Sequence, residues 1–367
     1  MTKEIITNKQ GIFIMTMFII GSFIIIGAGG EAKQDVWIVI LLALVMAMPL
    51  VLVYSALLKL HPGKDICDIL ILTFGRVAGK FMALLMVWYC LHLGALVIRN
   101  FSSFVNIVSF PETPQSVIVI FIGLFCIWMV KAGIEVFGRW TAFIFPTIML
   151  IIIVTAFLSM TRANFINLRP VLSKGVLPLL PVAFGIFSFP FAETVVFTFV
   201  FETLKDNKKV FRVFLYSLLI GSIFMISIAI RNVLVLGTAL NSILYFPSYA
   251  AVRTINIGNF LQRFEVVVAI IFIFGGFVKI SVCLLATSKG VAKLLGFKSY
   301  RDIVVPIGFL MMVFSCIVYE DTLEMFQWAQ KIYPYYAIPF QIVLPVFTLI
   351  VAKIKTRLAE NNKKYTS

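Results

Sequence analysis

Ten long apolar runs fill most of this chain, and no other feature restricts its fold so strongly. They lie near 11–29, 37–58, 81–104, 115–132, 140–160, 178–201, 211–236, 264–288, 303–319 and 338–354. About 20 apolar residues cross the roughly 30 Å hydrocarbon layer of a bilayer. In lipid the backbone polar groups of such a run must be satisfied internally, so each is expected to be a helix. The chain therefore reads as an all-α integral membrane protein. One polytopic transmembrane domain covers 1–354, and a short basic tail follows at 355–367.

Composition agrees. Hydrophobic residues make up 61% of the chain and charged residues 13%, against about 45–50% and 25% in soluble domains. A soluble fold cannot bury that much apolar surface. The net charge of +15 would suit nucleic acid, but the basic residues sit in short loops between apolar runs. They form no continuous phosphate-tracking surface. Topology accounts for them. With the N-terminus inside, 21 Lys and Arg fall on the inner side, eight on the outer side, and Arg231 and Lys279 within spans. That bias places both termini in the cytosol.

The first run follows Lys3 and Lys9 and ends in small residues, as a signal peptide does. At about 18 residues it exceeds the 7–15 of a signal core, so it reads as a retained span. The five cysteines are scattered, with neither disulfide nor metal spacing. No paired carboxylates, nucleophile–base arrangement, metal motif or phosphate loop stands at a workable spacing, which argues against a membrane enzyme and against a metal or cofactor.

Ten helices suggest a five-plus-five inverted repeat. In such transporters corresponding helices of the two halves are interrupted, and the unwound backbone binds substrate. Span 1 carries Gly27-Ala28-Gly29-Gly30, and span 6 carries Gly185 and then Ser188-Phe189-Pro190-Phe191-Ala192-Glu193. Pro190 removes a helical N–H and frees a carbonyl.

Charges inside spans are costly and usually functional. Glu193 in span 6 and Lys279 in span 8 each lie about 15 residues into an inward-running span, roughly 22 Å along the helix. Either they pair, or Lys279 holds a substrate carboxylate. In span 8, Glu265, Ala269, Phe272, Gly276, Lys279, Cys283 and Ala286 share one small, polar face. In span 3, Tyr89, His92, Leu93, Leu96 and Arg99 share another, with Tyr89 at similar depth. His92 reads as a packing residue. Arg231 and Asn232 are expected to snorkel to the outer interface.

Several short pieces then stand in a telling order: Gly27-Ala28-Gly29, Asp35-Val36-Trp37, Gly75-Arg76 with Gly79-Lys80, Arg99 and Thr113-Pro114. Gly133 with Arg139, Leu168-Arg169-Pro170-Val171-Leu172, Ser188-Phe189 with Glu193, and Arg263-Phe264-Glu265 follow. In order and spacing the chain resembles the spore-germination receptor B-subunit family (GerAB-like), within the amino acid–polyamine–organocation transporter superfamily. The resemblance implies a LeuT-like five-plus-five fold with broken helices 1 and 6. It also implies a receptor subunit for a small germinant, an amino acid or similar molecule. Such a subunit would sit in the spore inner membrane with an A subunit and a C lipoprotein subunit. The family's pocket, carried over by position, implicates Gly27, Tyr89, Leu93, Pro190 and Lys279. With the neighbours already noted, the candidate ligand-binding set is Gly27, Ala28, Gly29, Tyr89, Leu93, Gly185, Ser188, Phe189, Pro190, Glu193, Phe272 and Lys279. A secondary active amino-acid permease is the alternative. Two departures stand out. Only Gly30 to Gln34 remains where relatives carry the outer half of span 1, and Lys279 replaces an uncharged polar residue of some relatives.

Overall fold

The computed structural model describes residues 4–27, 29–254 and 265–366. Ala28 and the pair Arg263-Phe264 lie outside them. The described chain is helical, with no strand among the described residues beyond a bridge between Ile6 and Leu204. Helix α1 (Asn8–Ile26) opens on a capping box, in which Thr7 Oγ1 accepts from the Gln10 N–H while Gln10 Oε1 accepts from the Thr7 N–H. It is followed by α2 (Val36–Leu60), short α3 (Ile66–Phe74), long α4 (Arg76–Val108), α5 (Gln115–Ala132) and α6 (Ile134–Ser159). The second half begins with α7 (Leu180–Ile186), whose continuation to Phe199 is not α-helical. It proceeds through α8 (Val210–Ile243), α9 (Pro247–Arg253), α10 (Glu265–Leu295) and α11 (Val304–Ile317). The last crossing is assembled from α12 (Thr322–Gln327), α13 (Tyr333–Tyr336) and α14 (Leu344–Thr366), joined by π turns.

Among the described residues, eight stretches are long and apolar enough to cross a membrane. With α1 and the shorter α11 they match the ten expected runs. The segment read as an inner loop at 59–80 contains α3, which Asp65 caps by accepting from the Asp68 N–H at 3.0 Å. The final crossing starts well before residue 338, and α14 runs on through the basic stretch to Thr366.

Helix α10 forms the centre, packed mainly on α4 and α1. The small face predicted for span 8 explains the first contact. Phe272 meets Phe104 edge-on at 4.6 Å, Gly276 lies under Phe101, and Cys283 faces Gly94. The second contact is closer still. A Cβ on Gly21 would lie 2.6 Å from the Gly275 backbone, so α1 and α10 touch main chain to main chain, as small residues allow between membrane helices.

Two expectations about the end of α1 and α8 are resolved by packing. Helix α1 stops at Gly27, which takes a left-handed φ of 58°, and one 3-10 segment, Gly30–Asp35, leads into α2. Pro247 of α9 abuts Gly27 there. Arg231 does not snorkel outward: it is 4% exposed. Its guanidinium donates to Asn232 Oδ1 at 2.8 Å and to the Ser248 carbonyl at 3.4 Å, while Asn232 donates to Ser248 Oγ at 3.0 Å. The folding back of α9 onto α8 supplies partners that a lone helix in lipid would lack.

Candidate functional site

The sixth span loses its α-helix where Pro190 removes an N–H. Phe187–Phe191 form a π turn in which Phe189 has φ −133° and ψ 107°, and Ala192–Phe199 continue as 3-10 helix. The break turns Glu193 into the middle of the bundle. Glu193 and Lys279 are both fully buried and form an ion pair. Lys279 Nζ also lies 4.7 Å from the ring centroid of Phe18 and 4.6 Å from that of Phe189. Phe18 is one turn from Gly21, and Lys279 one turn from Gly275. The glycine contact between α1 and α10 therefore brings that aromatic face onto the ammonium.

A polar chain extends from the other carboxylate oxygen. Tyr333 donates its hydroxyl proton to Glu193 Oε1 at 2.6 Å. That is the only proton Tyr333 has, so in the 2.9 Å contact between the two tyrosines Tyr89 is the donor. Tyr89 Oη in turn accepts from Gln341 Nε2 at 2.9 Å. Gln341 Nε2 also donates to the Ser188 carbonyl at 2.9 Å, and Ser188 Oγ donates to Gln341 Oε1 at 3.2 Å. Tyr54 donates to the carbonyl of Gln341 at 2.6 Å. The bonds from Gln341 through Tyr89 and Tyr333 run one way, towards the carboxylate, and the others brace Gln341. They tie α2, α4, the broken span and the last crossing together. Beyond Phe189 and Tyr333 lies a cavity of about 10 Å³, also lined by Leu93 and Asn100. It has room for about one water, and Asn100 Oδ1 has no hydrogen-bond partner among the described residues.

Of the candidate residues, the structure brings together Tyr89, Leu93, Ser188, Phe189, Pro190, Glu193 and Lys279. Phe272 stands two turns from Lys279, against Phe104. Gly27 and Gly29 sit at the end of α1 against Pro247 and Ile186, about 13 Å along the helix from Phe18 in the case of Gly27. Gly185 has open space around it, and Ala28 is outside the described residues. His92 is a packing residue, its ring stacked on Trp88 and bordered by Phe314, Trp328 and Tyr336. Sequence reasoning missed Phe18, Tyr54, Tyr333 and Gln341. Gln341 was detectable as a lone amide in an apolar run. Tyr333 fell in a stretch read as loop.

A second charged cluster lies at the end of the bundle that carries the N-terminus. Lys293 Nζ sits 2.7 Å from Asp65, 2.6 Å from Asp68 and 3.7 Å from Glu202, and Lys289 pairs with Glu202 at 3.0 Å. The three carboxylates stand close enough to ligate a cation, but the Lys293 ammonium already lies among them. Asp65 is outside the spans. Its burial and then the nearby Glu202 carboxylate push its carboxyl up to about 6, against the pull of Lys293. Beside this cluster a cavity of about 560 Å³ is bordered by Glu4, Glu135, Lys298 and Arg301. Glu4 pairs with Arg301 and accepts from Tyr300 at 2.9 Å, and the Ile5 N–H donates to Glu135 at 2.9 Å.

A bundle of this connectivity, with a broken sixth span and a buried ion pair at the break, is an integral membrane protein of transporter-like architecture. The sequence model of the family described as "Spore germination protein" matches residues 5–322, and the chain belongs to that family. It is 28% identical to spore germination protein KB of Bacillus subtilis (strain 168), over 99% of this chain and 98% of that one. It is 26% identical to putative spore germination protein YfkT of the same organism, over 89% of each chain. Two solved structures share the fold. One is MHP1, a nucleobase-cation-symport-1 family transporter in a closed conformation with bromovinylhydantoin bound (TM-score 0.73, 11% identity, 94% of this chain and 78% of that one). The other is MhsT in complex with L-phenylalanine (TM-score 0.61, 10% identity, 96% and 99%). At these identities they establish the LeuT-like fold alone.

Proposed function

We propose that this chain is the ligand-binding membrane subunit of a nutrient-germinant receptor in the spore inner membrane, with both termini cytosolic. The observation that carries the reading is the buried chain of Gln341, Tyr89, Tyr333, Glu193 and Lys279 at the break of the sixth span. Buried charges in a membrane helix are expensive to keep, and this set gathers where transporters of this architecture hold their substrates. The germinant is a small polar molecule of the amino-acid kind. It comes in from the outer face past Leu93, Asn100 and Phe189 and settles at the break. Binding stabilises one of two arrangements of the bundle, and the change passes to an A subunit and a C lipoprotein subunit and leads to ion release.

The test is ligand-induced thermal stabilisation of the purified chain across amino acids, nucleosides and sugars. A ligand at 100 times its Kd adds about 2.7 kcal/mol of apparent stability. A hit that vanishes in Glu193→Gln supports the reading, and a hit unaffected by changes at Glu193, Tyr333 and Lys279 would refute the site. The transporter fold also supports a second reading, a secondary active amino-acid permease with Glu193 as its coupling carboxylate. Substrate uptake by this chain alone in proteoliposomes separates the two.

A further inference from the structure

The surroundings of the Lys279 ammonium are those of an alkylammonium ligand. Among the described residues, one carboxylate, Glu193, faces it, and two aromatic rings, Phe18 and Phe189, lie at 4.7 and 4.6 Å. Cation–π contact at these distances is strongest when the site is dry. Phe18, Glu193 and Lys279 are fully buried and Phe189 is 7% exposed. The walls come from α1 and the broken span, whereas the ammonium comes from α10. The site is thus complete without the lysine stem, which fills it from the side. Stability gives little reason for the pair, because a buried ion pair is often no better than a well-packed apolar one.

Charge balance then restricts what can replace the contact. A cation displacing Lys279 would leave two positive groups around one carboxylate. An anion taking Lys279 would strand Glu193. A zwitterion brings both charges, so each buried charge keeps a counterion. Resting on the small-ligand reading above, we infer that Lys279 occupies the receptor's own amine site, and that a neutral α-amino acid binds by splitting the pair. Its amine takes Glu193 and the two rings. Its carboxylate takes Lys279, and its side chain extends towards Leu93 and the small cavity beyond Phe189 and Tyr333. The closed pair is therefore the unliganded state of the pocket.

Two measurements on the purified full chain test this. The first uses Lys279→Ala, which removes the stem beyond Cβ, with n-propylammonium as the probe and propionate as the control. The expected result is a lowered Tm that n-propylammonium raises and propionate does not. Absence of recovery overturns the inference, whatever else binds. The second uses the wild-type chain and needs no variant to fold. Each neutral L-amino acid is compared with its amide, which keeps only the amine, and its N-acetyl derivative, which keeps only the carboxylate. A free amino acid should bind roughly 100-fold tighter than either derivative, since each derivative deprives one buried charge of its counterion. An amide that binds as well as its parent overturns the inference. Stabilisation by nucleosides or sugars alone overturns it too, and with it the amino-acid kind of germinant, but leaves a small-molecule receptor standing. Recovery of Lys279→Ala by n-propylammonium, with no wild-type hit from any compound, would show only that the emptied space accepts an amine, and it overturns both the splitting of the pair by an amino acid and the receptor reading.

Discussion

Lys279 of α10 and Glu193 of the broken span form an ion pair with no exposure of either side chain. Each is the other's compensation, so they should respond to substitution as a unit. Lys279→Met alone strands the carboxylate and should destabilise by about 3–5 kcal/mol. The double change Lys279→Met with Glu193→Gln should restore most of that in thermal unfolding of the detergent-solubilised protein. Equal damage in the single and double variants would assign the two groups separate roles.

The direction of the hydrogen-bond chain ranks two tyrosines that look alike in sequence. Tyr333→Phe removes the donor to Glu193 Oε1 and the acceptor of Tyr89, and should cost about 1–3 kcal/mol. Tyr89→Phe leaves Tyr333 donating to Glu193, and Gln341 keeps its bond to Ser188. Its effect should stay near 1 kcal/mol. Denaturation midpoints for the two variants give the comparison, and the reverse order would contradict the ranking.

Gly275→Ala should be damaging out of proportion to its size. The added Cβ would lie 2.6 Å from the Gly21 Cα, and overpacking of this kind costs about 1–3 kcal/mol. The same contact sets Phe18 over Lys279 one turn away, so ligand-induced stabilisation should fall as well. A variant with unchanged Tm and unchanged ligand response would show that α1 and α10 can separate freely.

At the N-terminal end, Asp65 gives the protein a pH-dependent component of stability. Its carboxyl is raised to about 6 in the folded chain, above the ordinary value of about 3.9. The folded state therefore holds the extra proton, and the contribution is complete below about pH 4 and lost as pH rises through about 6. Asp65→Asn should flatten the Tm profile across that window. A wild-type profile that climbs through the window and is unchanged by the substitution would contradict the sign.

Much of the architecture was legible because lipid imposes it. Apolar length forces a helix whatever the neighbours, and the small face of span 8 announced a helix–helix seam, which the structure sets against α4. Glu193, Lys279 and Tyr89 were found together because depth follows from residue count along a helix. Tyr333 and Gln341 could not be paired with them that way, since the last crossing is interrupted by π turns and begins among prolines and tyrosines. Arg231 was misplaced for a related reason: its partner Ser248 belongs to α9, which reaches it only by folding back over α8.

The sequence alone determined that this chain lives in a bilayer, that its crossings are helices, and that two opposite charges lie at one depth. Periodicity and hydropathy are local properties, and they settle such questions residue by residue. Only the tertiary structure decided that the charges touch, that two phenyl rings flank the ammonium, and that a hydrogen-bond chain leads from Gln341 through Tyr89 and Tyr333 to Glu193. Those facts depend on where the sixth span breaks and on how closely Gly21 meets Gly275. Neither rotation nor approach of helices is encoded by any one run of residues.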